Sequence, residues 1–359
     1  MAQYPELVVN LEKLKHNVET IVKLCEEKNI KVAGVIKGFN GCLPMVNAYR
    51  AGGVKTIGSS RMEQLKEVRK MWPNAETLML RIPMLSELDS LVKDANISLQ
   101  SELTTLKELN KLCLENNLCH RVILMVDLGD LREGFFKKEE LFKAAMEVEN
   151  SKELILEGIG TNLGCYGSIE PDEENLGKLC ELAKQIEQGI GRELAVVSGG
   201  ATTSLQLVLN NKIPNKINHL RIGDGILLRD MENYFDYTLN EMNEDVFKLS
   251  AEIIEIKEKP TYPIGTISVD AFGNTPEYTD QGIRKRALLA VGRQDIGDMN
   301  KLHPYDENIK VFGGSSDHTI IDLTDCSNNY QIGDIVSFEL EYENVLYATG
   351  STYIAKEYQ

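Results

Sequence analysis

The 359-residue chain predicts an α/β fold, a (β/α)8 barrel, followed by a C-terminal antiparallel β domain. Up to about residue 240, eight short apolar runs alternate with longer amphipathic stretches; beyond it, short β-rich segments alternate with Gly, Asn, Asp and Pro turns. The length suits a barrel of roughly 250 residues plus a module of about 100.

The eight runs are VAGVIK (32–37), TIGSS (56–60), TLMLRI (77–82), ISLQS (97–101), RVILMVD (121–127), ILEGIGT (155–161), LAVVSG (194–199) and HLRIG (219–223). They read as continuous apolar runs because a parallel barrel strand is covered on both faces. Between them, LEKLKHNVETIVKLCEE, SRMEQLKEVRKMW, SELTTLKELNKLCLENN and EENLGKLCELAKQIEQ place apolar residues at three- and four-residue spacing with charges opposite, the pattern of helices packed on a sheet. After the acidic, aromatic stretch DMENYFDYTLNEMNEDV come LSAEIIEIKEK, TISVDAFG, RALLAVG, NIKVFGG, HTIIDLT, DIVSFELEYE and VLYATGS, read as strands of the second domain. The predicted domains are therefore 1–240, the barrel, and 241–359, the β domain, with the N-terminal residues a candidate addition to the latter.

Composition narrows the function classes. With 42% hydrophobic and 26% charged residues and no apolar run near the roughly 20 residues of a membrane span, the chain reads as globular and soluble. The start, MAQYPELVVNLEKLKHN, lacks the basic and apolar regions of a secretion signal, which predicts a cytoplasmic protein. Seven scattered cysteines (25, 42, 113, 119, 165, 180, 326) without a CxxC pair predict reduced thiols. The net charge of −16 argues against nucleic acid and anionic membranes as partners. The five histidines show no HxH or HExxH spacing, so no metal site is predicted.

Catalytic groups of such a barrel project from the C-terminal ends of its strands. That rule selects Lys37 with GFNG, Asp127 with LGDLREG, Asn162 with LGCYG, the SGGATTS loop and Arg221 with IGDG. A lysine ending a buried apolar run is costly unless neutralised or used covalently, and amines in such pockets form Schiff bases; a lysine that simply reaches solvent at the rim has the same spacing. SGGATTS (198–204) and RIGDG (221–225) close the last two strands, where barrels often bind phosphate through backbone N–H groups, although tight turns need glycine as well. Arg132 offers a fork for a carboxylate, or is an ordinary surface arginine.

Taken in order, VAGVIKGFNG, DLGDLREG, SGGATTS, RIGDG, VGRQD and GGSSDH make the sequence resemble the alanine racemase fold family, and within it the ornithine racemase branch. The resemblance implies a pyridoxal 5'-phosphate (PLP) enzyme of fold type III, an amino-acid racemase, and a head-to-tail homodimer whose β domain covers the partner's active site. It further implies that Lys37 carries PLP as a Schiff base and acts as one base, and that Arg221 faces the pyridine nitrogen. Ala201, Thr202, Gly223, Asp224 and Ser351 would serve the phosphate, with Asn162 and Ser198 beside the cofactor. Arg132 would support the ring oxygen and the substrate carboxylate.

Departures accompany the likeness. Alanine racemases carry a tyrosine base in VGYAD, and Arg293 stands there in VGRQD. The second base then falls to Asp295, Asp317 or His318. The carbamylated lysine of alanine racemases corresponds to Met125, and the aromatic hydroxyl after the PLP lysine is absent. These losses suit a longer, amine-ended substrate, ornithine first, with Asp130, Asp295 or Asp317 pairing with its amine and Arg293 and Ser316 in the substrate set. Alternatives are a racemase of lysine or alanine, a PLP lyase (a decarboxylase or a β-hydroxy amino acid aldolase), and a non-catalytic PLP carrier.

Overall fold

The computed structural model describes residues 3–228, 239–269, 273, 275 and 277–359. It divides into two compact units, residues 14–244 and residues 1–13 with 245–359. After a first strand, β1 (Glu6–Val9), which belongs to the second unit, eight strands form the first: β2 (Lys31–Val35), β3 (Thr56–Ser59), β4 (Glu76–Met79), β5 (Ile97–Gln100), β6 (His120–Met125), β7 (Leu154–Gly160), β8 (Val196–Ser198) and β9 (His219–Ile222). They pair in parallel in chain order and β9 closes on β2, so the predicted barrel of eight is the observed one.

Parallel neighbours require crossovers, and the amphipathic stretches supply them as helices. Leu103–Asn116 buries Leu106, Leu109 and Cys113 along one face and stops at Asn117, whose left-handed φ of 53° cannot continue the helix. Glu173–Ile190 starts at Asp172, which accepts from the Asn175 N–H, and ends at Gly191 with φ 75°. Inside the barrel, Ala33, Leu78, Ile97, Leu99, Ile123 and Met125 form one apolar cluster, the alternate residues of β2, β4, β5 and β6. Between β7 and β8 the strands run so close that a Cβ on Gly158 would lie 1.8 Å from the Val196 carbonyl oxygen.

The first apolar run ends earlier than predicted. β2 stops at Val35, and Lys37 opens a short 3-10 turn, Lys37–Phe39, ended by Asn40 at φ 53°. Lys37 is solvent-exposed, so the desolvation expected of a lysine closing a buried strand is absent.

In the second unit, β10 (Phe247–Pro260), β11 (Ile283–Leu289), β12 (Leu302–Pro304), β13 (Lys310–Gly314), β14 (Thr319–Asp322) and β15 (Ile335–Leu340) form a sheet in the order β12-β15-β10-β11-β14-β13. β1 adds antiparallel to β10 and is flanked in parallel by β16 (Ala355–Tyr358). Two predicted strands are corrected. VLYATGS lies in a helix, Tyr342–Gly350, started by a reciprocal Glu341–Asn344 cap and burying Val345 and Ala348 three residues apart. Of TISVDAFG, residues 266–269 are irregular, while 270–272 lie outside the described residues, as do 229–238 of the predicted interdomain stretch. Among the described residues, no helix is long and apolar enough to cross a membrane.

Candidate active site

At the C-terminal end of the barrel, period-two alternation puts His219 and Arg221 of β9 on the same side of their strand. Arg221 is 4% exposed. Its Nη1 donates to Ser198 Oγ, and its Nη2 donates to the Thr161 carbonyl at 2.6 Å, so one guanidinium ties β9 to the ends of β7 and β8. Thr161 is itself held, its hydroxyl donating to the Val126 carbonyl at 2.8 Å. Burial pushes the guanidinium down to about 10, with the Glu133 carboxylate working the other way. It stays a cation at neutral pH, and both acceptors are neutral.

On the other side of Ser198, its Oγ lies 2.8 Å from His219 Nδ1. Burial first, then the charges of Arg221 and Lys31, pushes His219 down to about 3, so this ring is neutral.

The loop after β6 is built around two aspartates. Asp127 Oδ1 accepts from the N–H groups of Gly129 and Leu131, setting the turn. Asp130 is 2% exposed and accepts from Cys165 and Ile169 N–H on Oδ1 and from Tyr166 N–H on Oδ2, bracing the loop after β7. Three backbone N–H groups thus take most of its acceptor capacity. Arg132 forks onto both oxygens of Glu133, an interaction that raises its pKa. Glu133 was missed in the sequence because adjacency to an arginine does not show which side chains meet. Asn162, at the start of the next loop, donates to Cys165 Sγ at 3.1 Å.

The two glycine and hydroxyl loops do come together. A Cβ on Gly225 would lie 2.7 Å from Thr202 Cγ2, and one on Gly223 would lie 3.3 Å from Val35 Cβ of β2, two residues before Lys37. Gly200 bends the first loop at φ 115°, with Ala201 leading into a 3-10 turn, Thr202–Ser204. Thr202 donates its hydroxyl to Asp224 Oδ1 and accepts the Gly225 N–H at 3.2 Å. That hydroxyl staples loop to loop.

In the β unit, the VGRQD and GGSSDH segments dock on one another. Arg293 and Gln294 N–H donate to the Ser315 and Ser316 carbonyls at 3.0 and 3.2 Å, and Gln294 Nε2 donates to Asp317 Oδ1 at 2.7 Å. Gly292 must lack a Cβ, which would lie 2.5 Å from His318 N and Ser316 O. Asp317 is exposed and also accepts from Ser316 Oγ at 2.7 Å; His318 is half-buried in the hairpin turn. Asp295, 7% exposed, accepts from Ser351 Oγ at 2.6 Å, and Ser351 accepts from the Tyr353 and Ile354 N–H groups. In the β unit the Ser351 hydroxyl is thus held between Asp295 and the start of the C-terminal strand. Among the described residues, no group of three or more His, Cys, Asp or Glu is arranged to hold a metal ion.

A sequence profile for the alanine racemase N-terminal domain matches residues 9–228. The chain belongs to the alanine racemase family. The chain is 42% identical to the ornithine racemase of Acetoanaerobium sticklandii and 35% identical to the lysine racemase of Thermotoga maritima, each comparison covering 99% of both chains. The fold is also that of the Bartonella henselae alanine racemase solved with covalently bound pyridoxal phosphate, at a TM-score of 0.74, 16% identity and full coverage of both chains. The chain is therefore an enzyme of a PLP-dependent amino-acid racemase family.

Proposed function

We propose that this enzyme interconverts the L and D forms of a basic amino acid, ornithine first and lysine next, with pyridoxal phosphate held by Lys37. The full-length likeness to an ornithine and a lysine racemase supports the substrate class. Buried Arg221 carries the cofactor assignment: a cation whose hydrogen bonds go to neutral acceptors suits a neutral ring nitrogen, and the Gly223 and Ala201 loops meet beside β2. These donors fit the three handles of PLP, namely the aldehyde, the ring nitrogen and the phosphate.

Bound there, PLP supplies an electron sink that acidifies the substrate Cα–H. The exposed Lys37 amine takes and returns a proton at Cα on one face. Arg221 would give the ring nitrogen a hydrogen bond without surrendering its proton, which would keep that sink modest and suit reprotonation over side reactions. Arg132, held in plane by Glu133, is the proposed group for the substrate carboxylate. Backbone N–H groups at Ala201, Gly223 and Asp224 are proposed for the phosphate. The opposite face needs a second proton carrier, proposed to come from the β unit of another copy in a homodimer. Asp317 is exposed and His318 half-buried, whereas Asp295 is held by Ser351.

The test is a panel of L-amino acids incubated with the holoenzyme and scored by chiral chromatography. D-ornithine and D-lysine are the expected products; racemisation of alanine alone, or of nothing, overturns the reading. Borohydride reduction and peptide mapping should find the pyridoxyl group on Lys37, and an adduct on any other lysine refutes that assignment.

A further inference from the structure

The hydrogen bonds behind Arg221 have a direction. Arginine only donates, so Ser198 Oγ accepts from Nη1, and the 2.8 Å contact to His219 Nδ1 is where an acceptor stands for the buried hydroxyl proton of Ser198, which favours Ser198 as the donor there. That nitrogen must then offer a lone pair, which only the neutral imidazole protonated on Nε2 does. Ser198 and His219 are also the single Cα partner pair between β8 and β9, so the side-chain link sits on the shortest seam in the barrel.

We propose that His219 is a positioning residue for the cofactor: its lone pair at Nδ1 fixes the Ser198 hydroxyl as an acceptor and thereby locks the Arg221 guanidinium in the direction from which it meets the ring nitrogen. This rests on the reading of Arg221 as the cofactor's ring-nitrogen partner. The reasoning is steric and electrostatic together. With no acceptor at the Nδ1 position, the Ser198 proton is buried without a partner, and the hydroxyl rotates to find one. Arg221 then keeps only its Thr161 anchor and swings about it. A cation on His219 would be worse, since Ser198 would face donors on both sides and two positive groups would share one buried wall. Depression of the His219 pKa by burial and by Arg221 accords with the neutral ring.

The experiment compares His219→Leu, which fills the space without an acceptor, with His219→Asn, whose Oδ1 falls near the Nδ1 position. PLP dissociation constants are measured by absorbance titration of the apoenzymes, alongside thermal midpoints and the 15N spectrum of the His219 ring in the wild type. His219→Leu should bind PLP about tenfold more weakly, the loss of roughly one buried hydrogen bond, and His219→Asn should recover to within about twofold. The ring spectrum should show the proton on Nε2. Equal weakening in both variants makes His219 a packing residue and overturns the proposal, as does wild-type affinity in His219→Leu or a proton on Nδ1. A wild type that binds no PLP at Lys37 refutes the cofactor reading instead, and the ring spectrum still decides the direction of the Ser198 bond.

Discussion

Two buried histidines make the barrel acid-sensitive in a defined window. His219 and His120 have an ordinary value of 6.5 and are pushed to about 3 and about 4, first by burial and then by neighbouring arginines. Each ring nitrogen lies within hydrogen-bond reach of a buried hydroxyl, His219 Nδ1 of Ser198 and His120 Nε2 of Ser98 at 2.9 Å, with Ser98 accepting from Gln100, and the neutral form can accept that hydroxyl's proton. The folded values lie below the unfolded one, so on acidification the unfolded chain takes up protons first and stability falls as pH drops below about 6.5. At 1.36 kcal/mol per pH unit, each histidine costs about 2 kcal/mol by about pH 5, and the two together cost about 4. Carboxylates contribute in a lower window. Glu76 and Asp322 are lowered from 4.5 and 3.8: burial pushes each up, but hydrogen bonds from Thr56 and Arg121, and from Thr324 and Arg284, outweigh it. Their stabilisation is lost only as pH falls below those ordinary values. Urea titrations at about pH 7 and about pH 5 should therefore show the midpoint fall by roughly 1 M, taking a slope of about 3 kcal/mol per M. His120→Gln and His219→Asn keep an acceptor and lose the titration, so each should halve the acid loss. A stability flat across this window, or an acid loss unchanged in both variants, refutes the reasoning.

Two further outcomes follow from single sites. Gly158→Ala puts a methyl 1.8 Å from a backbone oxygen with no side chain to yield, so soluble expression or the thermal midpoint should collapse, and a midpoint within a few degrees of wild type would mean the β7–β8 spacing is wrong. Asp130→Ala strands three backbone N–H groups, all three on exposed residues that water can serve, so the cost should be only about 1 kcal/mol by denaturation, with weaker PLP binding as the loop after β7 loosens. Unchanged stability would show that the carboxylate does not brace that loop.

The sequence by itself determined the barrel, because strands buried on both faces must be written as short continuous apolar runs, and all eight runs are strands of the closed sheet. It also singled out Lys37, Arg221 and the two glycine loops as strand-end candidates, since a barrel of this kind places functional groups where apolar runs stop. The failures fall where pattern is ambiguous or distance intervenes. VLYATGS is as apolar as a strand, and only its Glu341–Asn344 cap and its packing make it a helix. The sequence did not show that Asp130 would accept from backbone N–H groups of the loop after β7, or that Ser351 would donate to Asp295 while accepting from the two N–H groups just beyond it. Glu133 was invisible until its carboxylate met Arg132. The link from Arg221 through Ser198 to His219 joins residues more than twenty positions apart, and its direction depends on strand register and on which atoms can only donate. Apolar pattern is local and survives in the sequence. The partner of a buried polar atom is chosen by register and packing, so only the tertiary structure decided it.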